Sequence, residues 1–477
     1  MRLLFSVLVA LICFCVPVKA QEKTNQNAAE GAGLLVSDVN GALPKGLWRN
    51  NPRSEITYLL KTLPAEAPFK SLQKIKRNML LSTYDTSDID NDVEIAVGDD
   101  FFTLRMAKLM ELGLWDDAYK LYTKTTNDPG QNGKLAEIGV LLSLYKQGIP
   151  NACLENKAFG PRYTGDFWDQ MELICGTELY DETIISTQFA NSSILNAIYT
   201  QPNFTINANA LNNLTFLELM MALKKSKIDY VNFELSRDTP PHIIKTFLSD
   251  NRFPTTQKAA LESLAKAKVV IVDDSSENEN NPSDVNFDNQ LTNSMQNEAN
   301  YSWFSEIITA VENNQKIDRE LTQKLLVSTG SKPQNIVYYQ LLKDFNLVED
   351  LKTFSPDKIA QANKMFSTDY TKELKILNSW LDNSPEFSNN PVKVYEKQIN
   401  MPLGEEFAPY SKDWTEWLGK TTSHQLAGLS LLIVLNNDKN IGVRSDQLLN
   451  DLRHVGLIEQ SHQVARDMTA RLMRITN

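Results

Sequence analysis

A short turn between two apolar runs recurs in this sequence, and it constrains the fold more than any other feature. Residues 112–118 read LGLWDDA and residues 455–461 read VGLIEQS, while residues 345–351, FNLVEDL, are a looser copy. Gly or Asn at the second position can take the left-handed conformation that ends a helix. The acidic residues then lie at the positive start of the next helix. This pattern is typical of two antiparallel helices joined by a tight turn.

Apolar residues at helical spacing support the same fold in other parts of the chain. The last segment repeats them at steps of four, four and three, at Val464, Met468, Leu472 and Ile475. The Asn-Gly pairs lack the alternating apolar flanks of hairpins. We therefore predict an all-α fold, in which antiparallel helix pairs stack as an irregular α-solenoid in two halves.

Hydroxyl side chains followed by proline mark two predicted helix starts. Thr239 precedes Pro240, and Ser355 precedes Pro356. The hydroxyl can cap the first turn, and proline suits the first helical position, where its missing N–H costs nothing. Residues 331–334, SKPQ, have the spacing of a capping box and predict a third start.

The first 20 residues have the layout of a cleavable secretory signal. Arg2 precedes an uncharged apolar run over residues 3–16, and small residues stand at Val18 and Ala20. The alternative is a membrane anchor, but the run is shorter than the ~20 apolar residues that a spanning helix needs. We predict cleavage after Ala20, export to the periplasm, and no transmembrane segment in the remaining chain.

Composition divides the rest of the chain into four segments. Residues 21–44 are rich in polar residues, Gly and Ala, and residues 273–300 are dominated by Asn, Asp, Glu and Ser. Such segments cannot bury enough apolar surface to offset the entropy of ordering. We predict a flexible N-terminal segment at 21–44, a helical-repeat domain at 45–272, a disordered linker at 273–300 and a helical domain at 301–477.

The charge balance disfavours nucleic acid as a partner. The chain's net charge of −11 loses the two positive charges of Arg2 and Lys19 with the signal and becomes −13. Such a charge repels phosphates unless a local patch overrides it. The most basic stretch, residues 70–77, contains no aromatic side chain for stacking on bases, and we interpret it as a solvated helix face.

Two cysteines remain after cleavage, Cys153 and Cys175, and an even number in an oxidising compartment suggests a disulfide. The bond would close a loop of 22 residues. A metal site is disfavoured because the chain has only four histidines and none lies near these cysteines. We predict a structural disulfide between neighbouring helices.

Motifs of catalysis and of cofactor or metal binding are not recognisable in the sequence, and we predict no catalytic residue, no cofactor and no metal. Aromatic residues between 407 and 417 could line a groove for a peptide or a glycan, with Tyr410, Trp414 and Trp417 as the candidates. The alternative is that these rings belong to the core. The apolar run at 425–435 is too short to span a membrane and predicts a buried helix.

Two resemblances accompany these patterns. Residues 113–118, followed by Tyr122 and Pro129, resemble the second half of a tetratricopeptide repeat, although Met106 stands where that family prefers a small residue. The resemblance implies stacked helix pairs with a concave surface for a partner. Residues 47–64 and 252–260 are similar to segments of uncharacterised exported helical proteins of alphaproteobacteria, which implies a periplasmic address.

The function expected from these patterns is that of a periplasmic, non-catalytic helical scaffold or adaptor that binds a protein or peptide partner in the envelope. One alternative is an envelope enzyme acting on peptidoglycan, since lytic transglycosylases also contain superhelical helical domains. Those enzymes use a glutamate next to a serine, and here Glu55, Glu262 and Glu306 have a serine neighbour. Another alternative is a purely structural envelope protein.

Overall fold

The computed structural model describes residues 30–36, 41–67, 69–125, 128–180, 189, 191–230, 233, 239–267, 302–365, 377, 427–436, 449, 452 and 457–476. Helices dominate this part of the chain, which contains seventeen α-helices and two short strands. The predicted signal at 1–20, the predicted linker at 273–300 and the candidate groove residues Tyr410, Trp414 and Trp417 lie outside the described residues.

The α-helices of the first segment are α1 (Arg53–Thr62), α2 (Lys70–Leu81), α3 (Phe101–Glu111), α4 (Trp115–Thr125), α5 (Gly133–Lys146), α6 (Ile149–Phe159), α7 (Asp166–Tyr180), α8 (Ser193–Thr200), α9 (Phe216–Lys225), α10 (Pro241–Ser249) and α11 (Thr255–Ala267). Those after the predicted linker are α12 (Ser302–Glu312), α13 (Arg319–Ser328), α14 (Asn335–Asp344), α15 (Pro356–Asn363), α16 (Ala427–Asn436) and α17 (Ile458–Thr476). Strands β1 (Thr205–Asn207) and β2 (Lys227–Asp229) flank α9 and pair in parallel.

Consecutive helices pack against each other along the chain. Contacts link α3 through α7 in order, α8 with α9, α10 with α11, and α12 through α15 in order. Two contacts between distant segments bring α9 against α5 and α10 against α3. The contacts of α9 with α5 and of α10 with α3 place the ends of α9 and α10 near the turn between α3 and α4.

The recurring turn takes the predicted backbone conformation at two of its copies. Gly113 has φ +73° after α3, and Asn346 has φ +57° after α14. At the first copy Leu114 N–H donates to Leu109 O, and α4 begins at once with Asp116 and Asp117 in its first turn. At the second copy no helix begins after Asn346 until α15, so the predicted helix start there is wrong.

The predicted helix starts are confirmed at one of three places. Ser355 is the N-cap of α15, and Pro356 takes its first position, although the Ser355 hydroxyl does not form the predicted capping hydrogen bond. α10 begins one residue later than predicted, because Pro240 is its N-cap and Pro241 its first residue. At 331–334 the capping box is wrong, since α14 has Gln334 as N-cap without a side-chain bond.

The last helices of the chain pack onto the first ones. α17 contacts α2 and α12, and α16 contacts α1. Asp467 on α17 accepts hydrogen bonds from the backbone N–H and the hydroxyl of Ser71 on α2, at 2.9 and 2.8 Å. Gly428 N–H donates to Leu47 O at 3.0 Å. These contacts join the segments on either side of the predicted linker.

Part of the predicted flexible N-terminal segment is held against the end of α2. Leu34 N–H donates to Leu81 O at 2.8 Å, and Thr83 N–H donates to Leu35 O at 2.8 Å. Arg105 on α3, which is fully buried, donates to Leu80 O, Ala32 O and Ser82 O. Residues 32–35 of this segment are therefore packed against α2 and α3.

The basic stretch at 70–77 is not a solvated face throughout. Lys76 is fully buried, and its ammonium donates to the carbonyls of Pro64 and Glu66 at 3.1 and 2.6 Å. Arg77 forms two hydrogen bonds to the Asp117 carboxylate on α4, at 2.7 and 3.0 Å. Both cations stabilise contacts between segments, which corrects the prediction for these two residues.

The leucines of α16 are buried, as the prediction of a buried helix at 425–435 requires. Among the helices that the structure describes, none is long and apolar enough to cross a membrane.

Candidate functional site

The predicted disulfide is present and joins α6 to α7. Cys153 and Cys175 are bonded with a Cα–Cα distance of 5.5 Å, and both are buried in the hydrophobic core. A buried bond of this kind stabilises the helix pair by restricting the unfolded chain. We therefore assign it a structural role.

An open cavity of about 450 Å³ lies where the turn between α3 and α4 meets the ends of α9 and α10. We call it the Trp115 groove. It is lined by Gly113, Trp115, Asp116, Tyr145, Met220, Leu223, Lys224, His242, Lys245, Thr246, Leu248, Ser249, Asp250 and Arg252. Its size falls within the roughly 300–1,000 Å³ that is common for ligand pockets.

The glycine of the recurring turn allows the two sides of the groove to approach. A Cβ atom on Gly113 would lie 3.2 Å from the Cα of His242 and 3.3 Å from the Cδ of Lys245. The left-handed φ of Gly113 also disfavours other residues at this position. The same glycine therefore ends α3 and sets the close packing of α10 against the turn.

Aromatic rings form the floor of the Trp115 groove. The Trp115 ring lies 5.1 Å from the ring of Tyr145 and 5.3 Å, edge to face, from the ring of Phe216. Phe216 in turn lies 5.2 Å from the imidazole of His242. Such tilted and edge-to-face contacts fix the orientation of the rings. The floor is therefore an apolar surface of packed rings.

His242 contributes an uncharged ring to this floor. Burial lowers the pKa of His242 to about 4, and a hydrogen bond to the backbone of Glu111 acts in the opposite direction. At neutral pH the imidazole is neutral. It therefore adds polar atoms to the groove without adding positive charge.

The acidic side chains of the groove are engaged with cations. Asp116 accepts from the Lys146 ammonium at 2.6 Å and from the Tyr145 hydroxyl at 3.3 Å. Burial raises the pKa of Asp116, but these partners outweigh it and hold the pKa below the ordinary value. Asp250 is likewise paired with Arg252 at 2.8 Å.

The cations of the groove differ in how far the fold already uses them. Arg252 donates to Leu223 O at 2.9 Å and to Ser226 O at 3.0 Å, so it caps the end of α9 in addition to pairing with Asp250. Lys224 pairs with no carboxylate among the residues that the structure describes. Burial lowers the pKa of Lys224. Among the cations that line the groove, the Lys224 ammonium therefore contributes least to the contacts of the fold.

Asp116 and Asp250 form ion pairs along the groove, Arg252 caps the end of α9, and the floor consists of rings. In the described part of the chain, no group of three or more His, Cys, Asp or Glu side chains is placed to hold a metal ion.

Sequence reasoning singled out only the turn residues of this site. Gly113, Trp115 and Asp116 belong to the recurring turn, whereas His242 is part of no motif in the sequence. Lys224 and Ser249 had no signal of their own, because their position beside Trp115 depends on contacts over more than 100 residues of sequence.

A second feature concerns the glutamates that have a serine neighbour. Glu55 lies in the first turn of α1 and is only 6% exposed. Burial and, to a smaller extent, the charge of Asp92 raise the pKa of Glu55 to about 7. Glutamates with a pKa in this range can serve as general acids.

No family model, no curated protein and no solved structure matches this chain.

Proposed function

We propose that this chain is a periplasmic, non-catalytic helical scaffold or adaptor that holds a protein or peptide partner in the Trp115 groove. In this proposal the helix pairs stack as an irregular α-solenoid with tetratricopeptide-like turns. The observation that carries the proposal is the groove itself, with its aromatic floor and an accessible lysine at its edge. Aromatic anchors of this kind dominate the energetics of protein interfaces.

The contacts around the groove support binding to a pre-formed surface. Its walls are fixed by the ion pairs of Asp116 and Asp250 and by the cap that Arg252 places on α9. A surface that is ordered before binding loses little conformational entropy when a partner docks. The disulfide between α6 and α7 and export to the periplasm belong to the same proposal, because the bond requires an oxidising compartment.

Site-specific photo-crosslinking in intact cells tests this proposal. Ser249 is an exposed residue of the groove, and Val327 on α13 is 81% exposed and lies outside the residues that line it. A photoreactive benzoylphenylalanine is introduced at one position or the other. We expect one crosslinked product of defined mass from position 249, lost on Lys224→Glu, and no such product from position 327. The same products from both positions, or none from position 249, would refute the proposal.

The enzyme alternative rests on Glu55. Its raised pKa is what a peptidoglycan-cleaving enzyme requires of its acid, and the test is release of soluble fragments from purified sacculi. This alternative predicts release by the wild-type protein and none by Glu55→Gln. Absence of release by the folded wild-type protein excludes it.

A further inference from the structure

We infer that the Trp115 groove recognises an internal peptide segment in which a bulky apolar side chain stands beside an aspartate or glutamate. This inference rests on the proposed function and specifies the ligand of the same site. It combines two features of the groove: an aromatic floor for the apolar side chain, and a local excess of positive charge for the carboxylate.

The apolar part of the ligand follows from the floor and from the volume. The rings of Trp115 and Tyr145, with Met220, Leu223 and Leu248, present an apolar surface in a cavity of about 450 Å³. This space accommodates one bulky side chain and the backbone around it. Burying an apolar side chain against such a surface drives association without directional bonds. A flat ring also gains edge-to-face contacts with Trp115.

The acidic part follows from the charges. Lys224, Lys245 and Arg252 line the groove together with only two carboxylates, those of Asp116 and Asp250. Asp116 is also paired with a cation from outside the lining, Lys146. The local balance is therefore positive, although the chain as a whole has a net charge of −11. A positive site on an acidic protein selects acidic ligands locally, while the rest of the surface repels them.

Lys224 is the residue that we place nearest to the ligand carboxylate. It stands in the last turn of α9 beside Lys225, yet the two lysines differ in their partners. Lys225 pairs with Glu178 on α7 at 2.6 Å and does not line the groove. Lys224 lines the groove, and in the described structure it is paired with no acid. The two neighbouring lysines therefore form a matched pair of test positions.

The carboxylate is assigned to a side chain of the ligand and not to its carboxyl terminus. Sites for a free carboxyl terminus are commonly built from successive backbone N–H groups. In this groove lysine side chains from two different helices, α9 and α10, supply the positive charge. An internal acidic residue can approach side-chain cations of this kind while the peptide continues past the groove on both sides.

Fluorescence anisotropy with synthetic peptides tests the inference on the full chain beginning at Gln21. The probe is a fluorescein-labelled, amidated peptide of sequence GSDFDSG. Its comparison peptides replace both aspartates by asparagine, or the phenylalanine by serine, and a further peptide, GSGSF, ends in a free carboxylate. We expect the probe to bind at least tenfold more tightly than the first two peptides and the free-carboxylate peptide, and to bind more weakly as salt is raised.

Variants of the protein assign the binding to this groove. Lys224→Gln is expected to weaken binding of the probe at least fivefold, whereas Lys225→Gln leaves it within twofold. Ser249→Trp fills the groove from an exposed position and is expected to abolish binding while circular dichroism shows an unchanged fold. Equal binding of the asparagine peptide, preference for the free carboxylate, equal effects of the two lysine variants, or no binding at 1 mM peptide would each overturn the inference.

The outcomes also separate this inference from the proposed function. If position 249 captures a defined partner in cells but the acidic peptide does not bind, the groove is a partner site and the assigned ligand class is wrong. If position 249 captures no partner and the peptide does not bind, both proposals fail.

Discussion

Replacing Arg105 by Met is expected to lower the free energy of unfolding by about 3 kcal/mol. The fully buried guanidinium donates to four carbonyls, those of Leu80, Ser82, Ala32 and Glu30. Hydrogen bonds that involve a charged group contribute about 1.5 kcal/mol each, so their loss costs about 6 kcal/mol. Burial lowers the pKa of Arg105 to about 10, well below its ordinary value. Removing the charge recovers the corresponding cost of about 3 kcal/mol, at about 1.4 kcal/mol per pH unit.

Urea denaturation measures the loss, and hydrogen exchange shows where it acts. Because Arg105 bonds to Ala32 O, the amides of residues 31–35 are expected to exchange faster in Arg105→Met than in the wild type. Arg105→Lys should have a free energy of unfolding between those of the wild type and Arg105→Met. Lysine keeps the positive charge, but its ammonium lacks the planar fork of N–H donors with which a guanidinium reaches several carbonyls. Lys108→Met on the same helix is the control, with a half-exposed partner in Glu111. A change below about 1 kcal/mol in Arg105→Met, with unchanged exchange at 31–35, would refute the reasoning.

Three further predictions concern other contacts. A Cβ on Gly139 would lie 2.1 Å from the hydroxyl oxygen of Tyr122. Gly139→Ala should therefore lower the free energy of unfolding by about 1–3 kcal/mol. In a double-mutant cycle, the same substitution should have no such effect in a Tyr122→Ala background. Burial raises the pKa of Glu155 from 4.5 to about 7. The folded chain therefore binds the proton of this carboxyl group more tightly than the unfolded chain does. As a result, the free energy of unfolding falls as the pH rises from 4.5 to about 7. Glu155→Gln should therefore raise Tm at pH 8 and leave it unchanged near pH 4.5; a pH-independent difference in Tm would contradict this reasoning. The double variant Cys153→Ser and Cys175→Ser opens a loop of 22 residues and should lose roughly 3 kcal/mol in urea denaturation, whereas equal midpoints for oxidised and reduced wild type would contradict a stabilising bond.

The sequence predicted those features that depend on neighbouring residues. Gly113 and Asn346 end helices because few residues other than Gly and Asn readily adopt a positive φ, so the composition of the turn is enough to find them. The same holds for Ser355 and Pro356 at the start of α15. The burial of Val464, Met468 and Leu472 likewise follows from their helical spacing.

Errors arose where a local signal competes with contacts made elsewhere in the chain. Lys76 belongs to a basic helix face by spacing, but the carbonyls of Pro64 and Glu66 provide a buried site for its ammonium. The capping box predicted at 331–334 is absent, whereas Thr215 and Glu218 form one at the start of α9. A capping pattern of four residues arises often by chance, and the position of the helix decides which copy is used.

The candidate site could not have been assembled from the sequence. Trp115, Lys224 and His242 come from three helices, and their neighbourhood depends on the packing of α9 against α5 and of α10 against α3. A single sequence contains no record of which helices pack together. The aromatic residues near 410–417 were easier to recognise as a candidate site, because they cluster in the sequence itself. Residues that come together only through the packing of distant helices cannot be recognised in this way.

Helix α3 connects the groove with the first and last helices that the structure describes. It contacts α10, which lines the groove, and also α1 and α2. α1 and α2 are in turn covered by α16 and α17, where Asp467 bonds to Ser71. A partner that binds only the folded groove therefore stabilises the N-terminal and C-terminal helices together, by an amount that grows with its concentration relative to Kd. By the same linkage, if the groove binds a partner as proposed, the contacts of α17 are expected to contribute to that binding although they are distant from the groove.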